Sequence, residues 1–135
     1  MIVKNNKGFT LVETIAVIII LGVVLSIAVP SITNVVKSTN KNRMISDAET
    51  FISEVKEYVE SDTIGNTPND KKYTLGSIKS KLSKSPYGKK YKEDSYVQIV
   101  NNNVYTVCLT DGEYKATTET EGSITVEKGE NCSNE

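Results

Sequence analysis

Residues 9–29 hold a dense block of Ile, Val, Leu and Ala, whereas the chain after Thr39 is rich in Lys, Glu, Asn, Ser and Thr. At about 1.5 Å per residue, such a run spans a hydrocarbon core of about 30 Å as one helix. Beyond Pro30 the apolar positions recur every three or four residues: Ile32, Val35 and Val36, then Ile45, Ala48, Ile52, Val55 and Val59. This is the period of an amphipathic helix. It predicts one long helix over 9–61, ending where the turn-rich SDTIGNTPND begins. Pro30 deprives the Ser26 carbonyl of its helical partner and predicts a kink.

The remaining chain reads differently. In TLGSIKSKLS, residues 74–83, Leu75, Ile78 and Leu82 are spaced for a short helix. Alternation and β-branched content then predict strands over 96–100, 104–110, 113–117 and 123–128. Asn101 to Asn103 and Asp111-Gly112 are hairpin turn signals. The expected fold class is α+β, a long helix packed on an antiparallel sheet of about four strands.

Charge changes this picture little in total and more in distribution. The net charge of −1 does not mark a nucleic-acid binder. Residues 71–92, however, hold eight lysines and no acid, and residues 93–135 hold nine acids against Lys115 and Lys128. These stretches either face each other within one fold or complement each other between subunits. The acids available for the second case are Asp111, Glu113, Glu119, Glu121, Glu127 and Glu130, against lysines such as Lys89 and Lys90.

Candidate chemistry is sparse. The chain has no histidine, which removes His-based metal sites and Ser-His or Cys-His nucleophiles. The glycines form no phosphate-binding loop. Glu119, Thr120 and Glu121 beside Gly122 offer oxygen ligands for calcium, but without an EF-hand pattern they read as a solvated loop. The seven tyrosines read as core before they read as a stacking surface. No enzyme, cofactor or metal site is expected.

The N-terminus admits three readings. Lys4 and Lys7 precede the apolar run with no acid among them, so this end stays in the cytoplasm and the remainder is exported. A secretory signal peptide would be cut after Ser26-Ile27-Ala28, leaving Val29 first and Pro30 awkwardly second. The secreted or tethered product would then be a binding module. A plain single-span anchor explains the length of the run and leaves Glu13 unexplained, although a charge in lipid costs about 2.5–3.5 kcal/mol on insertion scales.

The third reading begins at KGFTLVE, residues 7–13, followed by the apolar run. This string resembles the N-terminus of type IV pilins and pseudopilins, in which a short basic leader ends in Gly and the mature chain starts with an N-methylated Phe. Gly8, Phe9 and Glu13 match that pattern; Thr10, Leu11 and Val12 are typical of it; Pro30 and Gly22 fall at family positions. The resemblance implies a type IV pilin fold with four parts: leader 1–8, transmembrane and filament-core helix 9–29, amphipathic continuation 30–61 and globular β domain 62–135. It implies cleavage between Gly8 and Phe9 by prepilin peptidase, N-methylation of Phe9, and subunit assembly through Phe9, Thr10 and Glu13. It further implies unwinding between Gly22 and Pro30 in the filament. SPYGKKY, residues 85–91, resembles the Pro-aromatic-Gly loop found ahead of the sheet in several family members.

The implied partners are copies of the same chain in a helical filament, the membrane before assembly, the peptidase, the assembly platform and minor pilins. The implied locations are the cell membrane first and a surface pilus afterwards. Major pilin, minor pilin and secretion or competence pseudopilin share all of these features. Glu13 lies one turn from the amine that cleavage would create on Phe9. Its carboxylate can fold back on its own terminus, pair with the Phe9 amine of the next subunit, or stay protonated in lipid.

An exported destination also bears on Cys108 and Cys132, for which a disulfide is the natural state and two free thiols the alternative. In this family a C-terminal disulfide loop often forms an exposed, variable region that contacts other subunits.

Overall fold

The computed structural model describes residues 7–62, 70–101, 104–119 and 122–132. Parts of the SDTIGNTPND and Asn101 to Asn103 turns, and Thr120 and Glu121 of the acidic loop, lie outside the described residues. The chain divides into two units, Met1–Ser38 and Thr39–Glu135.

Helix α1, Leu11–Asp62, is continuous through Pro30. Its apolar part offers an 18-residue window of mean hydropathy 2.9, none of it buried, so it is long and apolar enough to cross a membrane. Two features modify the hydrogen bonding between Gly22 and Pro30 within this continuous helix. Ser26 Oγ donates to the Gly22 carbonyl at 2.7 Å, a back-bond of the kind that bends helices. Pro30 has no N–H to offer the Ser26 carbonyl.

In the second unit, Met44, Ala48, Phe51, Val55 and Val59 recur at spacings of four and three and are the buried residues of α1. They form one core with Val97, Ile99, Val107, Leu109, Ala116 and Val126 of the sheet. The strands are β1 (Lys72–Thr74), β2 (Tyr96–Val100), β3 (Val104–Thr110), β4 (Tyr114–Thr118) and β5 (Ile124–Lys128). They pair in chain order, all antiparallel. Alternation places Val97 and Ile99 inward, with the alternate positions Tyr96, Gln98 and Val100 only half-buried.

Two expectations need correction. The sheet has five strands, because Lys72–Thr74 pairs with β2 although three residues are too few to show a period. Residues 75–79 are turns instead of the start of a short helix. Thr74 explains this: its side chain accepts from the Ser77 amide at 3.3 Å while Ser77 Oγ accepts from the Thr74 amide at 3.0 Å. Such local bonds compete with helical ones. Gly76 follows Leu75 directly, which weakens a helix further.

Three carboxylates hold the segment between β1 and β2. Glu54 accepts from the Ser80 hydroxyl and from the Lys81 amide. Asp111, buried, accepts from Ser85 Oγ at 2.5 Å and from the Glu113 and Tyr114 amides at 3.0 and 2.8 Å. Asp47 accepts from the Tyr91 hydroxyl at 2.6 Å. Tyr87 stacks on Tyr114 with ring centroids 3.8 Å apart.

Burial, the hydrogen bond to Asp47 and the charge of that carboxylate raise the Tyr91 phenol well above its ordinary value of about 10. The folded state therefore binds this proton more tightly than the unfolded chain does. The resulting stability is complete below pH about 10 and is lost progressively as pH rises above it. In urea melts the midpoint is expected to fall steeply above that pH, and less steeply for Tyr91→Phe. Equal slopes for the two proteins would contradict this role of Tyr91.

Candidate functional site

Residues 7–10 precede α1 without helical or strand structure and are exposed, Phe9 at 90%. Lys7, Gly8, Phe9 and Glu13 border one open hollow. A Cβ added to Gly8 would meet nothing within 4 Å. The bond between Gly8 and Phe9 thus sits in accessible, non-helical chain, the form that a protease can bind.

The helix starts the way TLVE dictates. Glu13 Oε2 accepts from the Thr10 amide at 2.9 Å, and Thr10 Oγ1 accepts from the Glu13 amide at 3.3 Å. This reciprocal pair is a capping box: it satisfies amides at the helix start that have no intrahelical partner. A carboxylate in the first turn also lies at the positive end of the helix dipole. Thr14 Oγ1 adds a bond to the Thr10 carbonyl at 3.2 Å. Oε1 of Glu13 has no partner among the described residues.

Of the residues singled out from sequence, Gly8, Phe9, Thr10 and Glu13 meet here, whereas Gly22 and Pro30 lie farther along the same helix. Cys108 and Cys132 belong to the second unit and are bonded to each other, with Cα atoms 5.8 Å apart. The bond fixes the chain after β5 against β3. Lys92 Nζ reinforces that tie by donating to the Glu130 carbonyl at 2.9 Å and to Asn131 Oδ1 at 2.8 Å. Thr110 Oγ1, whose single proton has its nearest acceptor in the Tyr114 carbonyl at 3.0 Å, also approaches the Gly129 and Glu130 carbonyls at 3.3 Å. Sequence reasoning missed the roles of Lys92 and Thr110, which depend on strand register and leave no local signal.

The lysine-rich and acid-rich stretches meet within one chain at Lys89, whose Nζ lies 2.7 Å from Glu113 Oε2. That contact raises the Lys89 amine above its ordinary value. Both side chains are about half exposed, so the pair contributes little to stability.

An exposed Gly-Phe junction, a capped carboxylate one turn beyond it, a helix of membrane-spanning length and a sheet closed by a disulfide define the class of prepilin-type subunits. Comparison with known proteins agrees. A family model described as the prokaryotic N-terminal methylation motif matches residues 3–29. The chain is 34% identical over 113 residues to a fimbrial protein of Pseudomonas aeruginosa, in an alignment covering 78% of this chain and 67% of that one. It is 28% identical over 95 residues to type II secretion system core protein G of Dickeya chrysanthemi, covering 70% of this chain and 60% of that one. No solved structure matches significantly. The chain belongs to the type IV pilin and pseudopilin family.

Proposed function

We propose that this chain is a prepilin whose mature form, starting at Phe9, polymerises through residues 9–29 into a type IV pilus on the cell surface. The observation that carries this reading is the geometry of the N-terminus: an accessible Gly8-Phe9 bond lies directly ahead of a helix whose first turn presents Glu13. Prepilin peptidase acts on that bond at the cytoplasmic face, and Phe9 is then N-methylated. The apolar face, with Leu11, Val12, Ile18 and Ile27 largely exposed, lies in lipid before assembly and against copies of itself afterwards.

Glu13 recruits the incoming subunit. Its Oε2 is occupied by the Thr10 amide of its own chain, which lowers the cost of holding a carboxylate in lipid. Its Oε1 is free to accept the Phe9 amine of a neighbour, in a medium where Coulomb attraction far exceeds its value in water. The stretch between Gly22 and Pro30, where proline removes one helical donor, unwinds in the filament and lets it stretch. The minor pilins and the membrane platform complete the assembly machinery.

The pseudopilin reading rests on the secretion-system relative, whose identity and coverage are both below those of the fimbrial protein. Filament length separates the two. Immunogold labelling with antibody to the second unit, combined with shearing of the cells, is expected to show long surface filaments that carry the chain. Label confined to envelope patches, with none in the sheared fraction, would contradict a pilus.

A further inference from the structure

The order β1-β2-β3-β4-β5 leaves the sheet two edges, and they differ. At β1 the following turn takes up the edge. Thr74 N–H donates to Ser77 Oγ at 3.0 Å, and the Thr74 carbonyl accepts from the Ser77 amide at 3.1 Å and from its hydroxyl at 2.9 Å. A strand arriving there finds Thr74 already engaged.

At β5 the edge is open among the described residues. Two bonds frame the β4–β5 ladder: Glu119 N–H to the Ser123 carbonyl at 2.8 Å, and Gly129 N–H to the Glu113 carbonyl at 2.9 Å. Hydrogen-bonded pairs in an antiparallel ladder alternate with non-bonded ones. The pairs that bond β5 to β4 are therefore Thr125 with Thr117 and Glu127 with Lys115. The N–H and C=O groups of Ile124, Val126 and Lys128 point away from β4, and no described residue bonds to them. The register of β5 is continuous over all five residues and the strand has no proline, so neither a bulge nor a missing donor blunts it. Such an edge is a template for another strand.

We infer that the open edge of β5 docks β5 of a second copy of this chain, antiparallel, about a two-fold axis through Val126. The sequence of the strand selects this register. Centred on Val126, the residues whose backbone groups face the open edge pair as Val126 with Val126 and Ile124 with Lys128, and each pair exchanges both backbone hydrogen bonds. Thr125 then lies opposite Glu127 on the outer face, so no like charges meet. Shifting the centre to Glu127 sets two carboxylates opposite each other, which is destabilising. Shifting it to Thr125 leaves Lys128 beyond the paired segment. The contact is isologous and self-complementary, as a two-fold interface requires.

A pairing of one short strand is weak between two single chains. Repeated along two filaments it gains from multivalency, and its expected role is lateral association of pili. That role rests on the pilus reading, whereas the pairing itself does not.

The test uses the full chain in detergent micelles, with Thr125→Cys and Glu127→Cys made separately. Across a two-fold centred on Val126 these positions form a non-hydrogen-bonded pair, with Cα atoms about 4.5 Å apart, within disulfide reach. Mild oxidation of the mixed variants is expected to yield a 125–127 crosslink, mapped by peptide mass, with the native 108–132 bond intact. Either variant alone should stay largely monomeric. Equal crosslinking of either variant alone, or none in the mixture, would overturn the pairing. Capture of Thr125→Cys by a different protein in the sheared fraction, without the self-link, would assign the edge elsewhere and overturn it too. In the unaltered chain, amide exchange at residues 124, 126 and 128 should slow as concentration rises, while residues 125 and 127 stay unchanged. Exchange independent of concentration at all five would also overturn it.

Discussion

Surface filaments are expected to fall by at least about tenfold when Glu13 is replaced by Ala or by Gln, with membrane levels of the subunit unchanged; a tenfold loss corresponds to only about 1.4 kcal/mol. Removing one partner of a buried ion pair costs on the order of 3–5 kcal/mol, because the remaining charge is left without its counter-ion. The two variants separate the cap made by this residue from the ion pair proposed for it. A glutamine keeps an oxygen that accepts from the Thr10 amide, where Glu13 now does so at 2.9 Å, and so retains the cap; alanine loses cap and charge together. Equal loss of filaments in both assigns assembly to the charge. Normal filaments from Glu13→Gln, quantified in sheared fractions, would show that the cap suffices and would remove the ion pair from the account.

The second large effect concerns the disulfide. Replacing Cys108 and Cys132 by serine is expected to destabilise the second unit by roughly 3–4 kcal/mol, since the bond closes a loop across a sequence separation of 24. For a domain of this size each kcal/mol shifts the midpoint by about 4–8 °C, so thermal unfolding should move by at least 10 °C. The bonds from Lys92 and Thr110 to the same tail do not substitute for it. They act in the folded state, whereas the crosslink restricts the unfolded one. Calorimetry on oxidised and reduced protein is the check, and a shift of only a degree or two would mean that those hydrogen bonds hold the tail unaided.

The long helix and four of the strands were legible because each carries several turns of one period. Their ends shifted by only a residue or two, as with β4 at Tyr114–Thr118 against the expected 113–117. The centre of the helical stripe was less legible. Ile45 and Ile52 are only partly buried, whereas Met44 and Phe51, one position earlier, are fully buried. Both sets satisfy the same spacing, and only the angle at which the sheet meets the helix chooses between them. Strand β1 is set by its partner β2, so a three-residue segment shows nothing in isolation.

At the N-terminus, Gly8, Phe9 and Glu13 were visible through family resemblance. The capping box was missed, although Thr followed three residues later by Glu ahead of an apolar run is a helix-start signature that could have found it. Reading Glu13 only as a charge in lipid hides that half of its carboxylate is already satisfied by its own chain. The charge distribution carried two possibilities, and the Lys89–Glu113 pair shows that contacts within one chain take up part of it.

The central claim is that the chain is cut between Gly8 and Phe9, so that the whole apolar segment is retained in the mature subunit. The most direct measurement is the N-terminal residue and intact mass of the chain recovered from the cell envelope or sheared filaments. The account predicts an N-methylated Phe9 as the first residue. A chain starting at Val29, or an intact one starting at Met1, would contradict it.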